Sequence, residues 1–344
     1  MENVATLRVD RIRARTLHFI LKPSILRHVY GQAHLRLSLG VLLSTLVYLP
    51  LSILKPELLL LFGPMIMGYP HLVASYRYIA HKKFIFFILM TAVAIILHLS
   101  KVGFLQHEVL PFGVWQIVVA TISLFVVRIM AREFKLLEML YGLIVCITLI
   151  SLAWKEPIIY VGGTLILHNW IAYIYWIFSC KESKRRTTAI VSTIFFLVIH
   201  YLVLAGRLDH WFPLQGDAPQ FTGETHVTGW YLASWTSDPW VWYRFLVIYV
   251  FGLSMHYFVW LKAIPESLAT VQHPLSFRAT IKNIRQELGN KTWIMTSLAI
   301  IAGLAMWCWA FKLGSSIYFE LAILHGALEV LFLFPKLKMW PTHR

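Results

Sequence analysis

The stretch PIIYVGGTLILHNWIAYIYWIFS, residues 157–179, decides the fold. Its 23 residues include no Asp, Glu, Lys or Arg. As a helix it would be about 35 Å long, enough to cross the roughly 30 Å hydrocarbon core of a bilayer. Working outward, nine further apolar runs occupy Leu37–Leu54, Glu57–Val73, Phe84–Ser100, Val114–Val127, Leu136–Trp154, Thr188–Gly206, Val241–Leu261, Thr292–Phe311 and Ile317–Phe334. The runs are continuous, without the alternation of a membrane β-barrel. Composition agrees: 58% of the 344 residues are hydrophobic and 14% charged, against about 25% charged in soluble domains. The expected fold class is all-α, a polytopic integral membrane helical bundle of about ten transmembrane helices.

Lys and Arg set the expected orientation. With the N-terminus in the cytoplasm and the runs alternating, 25 of the 31 basic residues fall on the cytoplasmic side. Both termini are then cytoplasmic. The net charge of +15 is a topology signal, and no nucleic-acid partner is expected. Residues 1–36 read as a cytoplasmic basic amphipathic segment lying along the membrane surface, with no cleavable signal peptide apparent. Residues 37–334 read as one transmembrane domain, with a long external loop at 207–240 and a basic cytoplasmic loop at 262–291. Residues 335–344 form a cytoplasmic tail. The external loop is either a lid or an aromatic element resting on the membrane surface. Cys146, Cys180 and Cys308 have no CxxC spacing, so neither a disulfide framework nor a thiolate metal site is expected.

Of the 15 histidines, most sit in loops or at run ends, His98 of Phe84–Ser100 among them, and five are read as lying within the runs: His71, His168, His200, His256 and His325. Ionisable groups in hydrocarbon are costly, and they face the bundle interior where they serve a function. His71, His168, His256 and His325 lie on runs that all pass from outside to inside. Their depths along those runs are about 21, 16, 22 and 12 Å at 1.5 Å per residue. All four therefore share one slab between the midplane and the cytoplasmic half. His200, on a run of opposite direction, also lies near the midplane, and whether it joins the others stays open.

Imidazole suits iron, copper, zinc and nickel. Three or four neutral imidazoles leave an open position for oxygen or water. Glu329 stands one helical turn after His325 on the same face, placed to orient that ring or to act as a ligand itself. A single His–Glu pair could equally glue two helices together, but four imidazoles at one depth favour a metal site. Tyr69, Tyr173 and Tyr257 lie beside the ligand positions or about a turn away, placed to donate hydrogen bonds to oxygen held there. Aromatic residues around His168 and His256 could wall a tunnel for an apolar substrate.

Four short motifs carry a resemblance. Gly68–His71 (GYPH), Leu167–His168, His256 before an aromatic-rich FVW, and His325–Glu329 (HGALE) together resemble the bacterial and archaeal Brp/Blh-type membrane β-carotene dioxygenases. The pattern departs at Ser75, Gly252 and Trp260. The resemblance implies an iron centre held by histidines and an oxidative reaction on a lipophilic substrate.

The expectation is a membrane-embedded, metal-dependent oxygenase with non-haem iron (Fe2+, or another transition metal) on His71, His168, His256 and His325. Its substrates would be dioxygen and a polyene, isoprenoid or long-chain lipid, as in carotenoid or lipid metabolism. Its location would be a bacterial inner membrane. Three alternatives remain: a transporter or channel passing protons or metal along the histidines, a haem-binding membrane protein, and a scaffold whose histidines only pack.

Overall fold

The computed structural model describes residues 24–68, 70–72, 117–122, 136–213, 238–268, 289–309 and 324–330. It also describes Ile12, Arg15, Thr16, Val114, Phe125, Arg285, Gln286, Tyr318, Leu321 and Ala322. The expected run Phe84–Ser100, Tyr69, residues 214–237 of the external loop and the tail 335–344 lie outside the described residues.

All regular structure among the described residues is helical. The helices are α1 (Ser24–Gly31), α2 (Ala33–Leu54), α3 (Pro56–Gly63), α4 (Leu136–Lys155), α5 (Pro157–Ser179) and α6 (Ser183–Leu204). After them come α7 (Pro239–Leu268), α8 (Asn290–Trp309) and α9 (residues 324–330). Three begin on a proline, at Pro56, Pro157 and Pro239. The missing N–H costs nothing in a first turn, and the fixed φ favours helix. Asp238 adds a cap to α7, its carboxylate accepting from the backbone N–H of Trp240 at 2.8 Å.

Prolines also mark two widened turns. A π turn follows α3 at Pro64–Gly68, and another lies within α7 at Val259–Ala263. Pro64 and Pro265 cannot donate to the carbonyl four residues back, and their rings crowd it. One extra residue per turn relieves that conflict, and such bulges gather at functional sites. The second bulge lets α7 continue through Pro265 to Leu268, so residues 262–268 of the expected loop are helical; residues 269–284 lie outside the described residues. Helix α6 likewise starts at Ser183 rather than near Thr188. The reason is Arg185, which is buried and donates through Nη1 to the carbonyls of Glu266 and Ser267 at 2.9 and 3.3 Å.

Helices α2, α6 and α7 are long and apolar enough to cross a membrane, which marks the chain as a membrane protein. Burial is distributed accordingly. Helix α2 turns Leu42, Leu43, Leu46 and Val47 outward, and α6 turns Val191, Ile194, Phe195 and Val198 outward. Soluble proteins rarely expose so much contiguous apolar surface. Inside lie histidine, asparagine, arginine and glutamate. The apolar window is 78% buried in α7, against 28% in α2 and 33% in α6. Helix α7 is therefore the central post, packed most extensively on α2 and α5 and also on α3 and α6.

Both ends of α7 are tied. At one, Tyr243 Oη donates to the Ile53 carbonyl at 2.6 Å, and Arg244 Nε donates to Asp209 at 3.0 Å. At the other, Glu266 receives Arg36 at 2.5 Å and Lys262 at 2.7 Å. Trp176 Nε1 donates to Ser267 Oγ there at 2.8 Å.

Candidate metal centre

Each site histidine is delivered by a recognisable local device. His71 follows the π turn Pro64–Gly68 and lies in the helical residues 70–72. His256 stands on the fully buried face of α7, three residues before the second π turn. His325 begins the segment HGALE on α9. His168 stands on α5, where its Nδ1 lies 2.8 Å from the Thr164 carbonyl. A carbonyl can only accept, so Nδ1 carries the proton. In the neutral ring this leaves the Nε2 lone pair to face the bundle interior.

Among the described residues, His71, His256 and His325 form a group able to hold a metal ion, with one ligand atom from each lying within 4.8 Å of the others. All three are buried, at 2%, 0% and 1% exposure. The ring centroids of His71 and His256 are 4.4 Å apart, those of His71 and His325 are 4.8 Å apart, and all the contacts are edge-on. Nε2 of His71 and Nε2 of His256 approach to 3.0 Å. With metal–nitrogen bonds of about 2.0–2.1 Å, two ligands at right angles would be about 2.9 Å apart and two opposite ligands about 4.1 Å. The observed separation matches adjacent positions on one ion.

His168 flanks this trio. Its ring centroid is 4.7 Å from His256 and 6.3 Å from His325, but it is not one of the three mutually close ligands. Gly326 explains its approach. A Cβ there would stand 2.9 Å from Thr164 Cγ2 and 3.5 Å from His168 Cβ, so only glycine lets α9 lie this close to α5. The same Thr164 carries the carbonyl that orients His168.

Glu329 is 3% exposed, and its Oε1 lies 2.9 Å from His325 Nε2. Trp260, from the π turn of α7, faces the same carboxylate. A carboxylate stripped of water is costly unless paired, and a cation shared with three imidazoles would meet that need. His71 Nδ1 is buried and has no hydrogen-bond partner among the described residues. Such an N–H is what remains when the opposite nitrogen is turned toward a ligand.

The aromatic candidates separate. The Tyr257 ring lies 5.3 Å from that of His71. Tyr173 is fully buried but stacks on Phe196 at 4.3 Å and touches Trp176. None of its ring contacts is with the trio. Tyr69 lies outside the described residues. His200 is buried with its Nδ1 2.8 Å from the Phe196 carbonyl, and its ring packs against Phe196, Phe251 and Trp170. Two neighbours of the site were not singled out in the sequence, Thr164 and Tyr318. Each has a signal in spacing: Thr164 lies four residues before His168, and Tyr318 lies seven before His325.

No family model, curated protein or solved structure matches this chain.

Proposed function

We propose that the protein is a membrane-embedded oxygenase that uses non-haem iron on a lipophilic polyene, isoprenoid or other long-chain lipid. The observation that carries this reading is the trio His71, His256 and His325, three buried imidazoles with one ring nitrogen from each within 4.8 Å of the others, those of His71 and His256 3.0 Å apart. Three imidazoles and one carboxylate are a donor set suited to a divalent first-row metal, and a histidine–carboxylate set with open positions favours Fe2+. Bound there, iron would supply the one-electron chemistry by which dioxygen reacts with an unsaturated hydrocarbon.

The chain's own residues do the rest. His71, His256 and His325 hold the ion, and His168 either completes the set or lines the open side. Glu329 accepts the proton on His325 and keeps that ring turned. Trp260, whose ring lies 6.2 Å from that of His71 and 6.4 Å from that of His256, and Tyr175 stacked on it at 5.0 Å form a wall that excludes water. The resemblance of GYPH and HGALE to the Brp/Blh-type dioxygenases supports a polyene as substrate. The ten apolar runs and the 25 of 31 Lys and Arg on alternate connections support ten spans with both termini in the cytoplasm, and the bacterial resemblance supports an inner membrane. A haem held between two of these imidazoles fits less well, because Nε2 of His71 and Nε2 of His256 stand 3.0 Å apart and leave no room for a macrocycle between them.

The test is reconstitution of the detergent-purified protein with Fe2+ without oxygen, followed by addition of β-carotene and labelled dioxygen. Label in the organic product supports the reading. Iron bound without label in any polyene or isoprenoid tried removes the oxygenase. Metal transport into liposomes by the same preparation would replace it with the transporter.

A further inference from the structure

The three ligand-bearing segments meet a second time, just outside the imidazoles. Tyr257, next to His256 on α7, places its hydroxyl 2.6 Å from the hydroxyl of Tyr318. Tyr318 stands seven residues before His325, the spacing of one helix face. Gly68, three residues before His71, lies beneath that phenol. A Cβ at Gly68 would stand 2.6–2.8 Å from Tyr318 ring carbons and its hydroxyl, closer than any side chain allows. Both phenols are buried, Tyr257 at 1% and Tyr318 at 6% exposure. One contact thus joins the segments of all three histidines, each within seven residues of its ligand.

From this we infer that the Tyr257–Tyr318 phenol pair, seated on Gly68, is a positioning lock for the metal centre. It fixes where His325 stands relative to His71 and His256. The inference rests on the metal reading and gives Tyr257 a different part from the one its sequence position suggests. Its hydroxyl is committed to Tyr318 rather than offered to oxygen.

The physics favours a lock over ordinary packing. Each phenol has one hydrogen to give, and buried hydroxyls have no water to take instead. Removing either oxygen breaks this bond, and removing Tyr318's takes the partner from the Tyr257 hydroxyl, whereas removing both leaves two apolar rings of nearly the same shape. The three ligands come from segments far apart in sequence, and the chain near His71 and His256 is loosened by π turns. A loosened segment needs an outside contact to hold its imidazole to the tolerance a metal demands. Gly68 supplies the close seat and the hydroxyl pair supplies direction.

The experiment uses full-length protein in detergent with Co2+ as the probe ion, because its visible ligand-field bands report ligand geometry. Tyr318→Phe and Tyr257→Phe are each expected to weaken Co2+ binding about 10–100-fold, the range seen when a group that orients a ligand is lost. Their bands should shift while the circular dichroism stays helical. The double Phe variant should bind better than the product of the two single effects. Gly68→Ala, which displaces the Tyr318 ring, should show the same band shift. If Gly68→Ala fails to fold, the Phe variants decide alone. Wild-type Co2+ binding with unaltered affinity and bands in both Phe variants overturns the lock and leaves the metal site standing. Wild-type protein that takes up no Co2+ overturns the metal reading and the lock with it.

Discussion

His168 and His200 sit on neighbouring antiparallel helices and are held by the same device. Each ring donates Nδ1–H to the carbonyl four residues earlier, at 2.8 Å. Each is 3% exposed. Beyond that first bond they diverge. The far edge of His168 meets His256 and His325, whereas His200 lies among Phe196, Phe251 and Trp170. An intrahelical bond fixes a tautomer and a direction. It takes neighbours from other helices to make an imidazole a ligand. The depth expected from their positions along the apolar runs, which both share, does not separate the two.

That contrast can be broken by substitution. The largest effect is expected at the centre of the trio. His256→Ala should lower metal affinity by more than the 10–100-fold typical of a residue that merely orients a ligand, with helical content retained. Equilibrium dialysis against Fe2+ or Co2+ would read it, and a His256→Ala protein with wild-type affinity would remove α7 from the site. Glu329→Gln comes next. The amide keeps the shape and loses the charge, so affinity should fall about 10–100-fold. Full retention would mean that the carboxylate serves only to bind His325 to its own helix.

His168→Ala should have an intermediate effect of about tenfold, the lower end of the same range. A loss as large as that of His256→Ala would make it a full fourth ligand. The smallest effect belongs to His200→Phe. Metal affinity should stay within about twofold, because Phe keeps the stacking on Phe196 and no contact of this ring reaches the trio. Stability should change by no more than about 1 kcal/mol, the scale of one interhelical polar contact in a membrane protein. Loss of metal from His200→Phe would erase the distinction between the two imidazoles.

Much of the frame was legible in the sequence for one reason. Hydrocarbon demands long apolar runs, and Pro157–Ser179 and Leu136–Lys155 appear in the structure within a residue of the runs they were read from. Edges set by tertiary contacts were not legible. Helix α6 starts early because buried Arg185 reaches the end of α7, and α7 runs long because its π turn accommodates Pro265. Hydropathy carries neither signal. The site was legible by residue type and depth. An imidazole in hydrocarbon stands out, and Glu329 one turn after His325 falls at a distance the helix fixes. Which histidines face each other depends on helix rotation, and four imidazoles at one depth do not reveal it. Thr164 and Tyr318 escaped notice, and Gly326 stood only as a letter of the HGALE motif, because their close approaches join segments far apart in sequence.

The most direct measurement is the metal content of the detergent-purified protein by elemental analysis, beside His71→Ala, His256→Ala and His325→Ala prepared alike. About one iron or other first-row transition metal per chain in the wild type, and its loss from each variant, is the expected result. Wild-type protein that carries no such metal, even after exposure to Fe2+ without oxygen, or variants that keep it, would contradict a shared ion at the meeting point of these three helices.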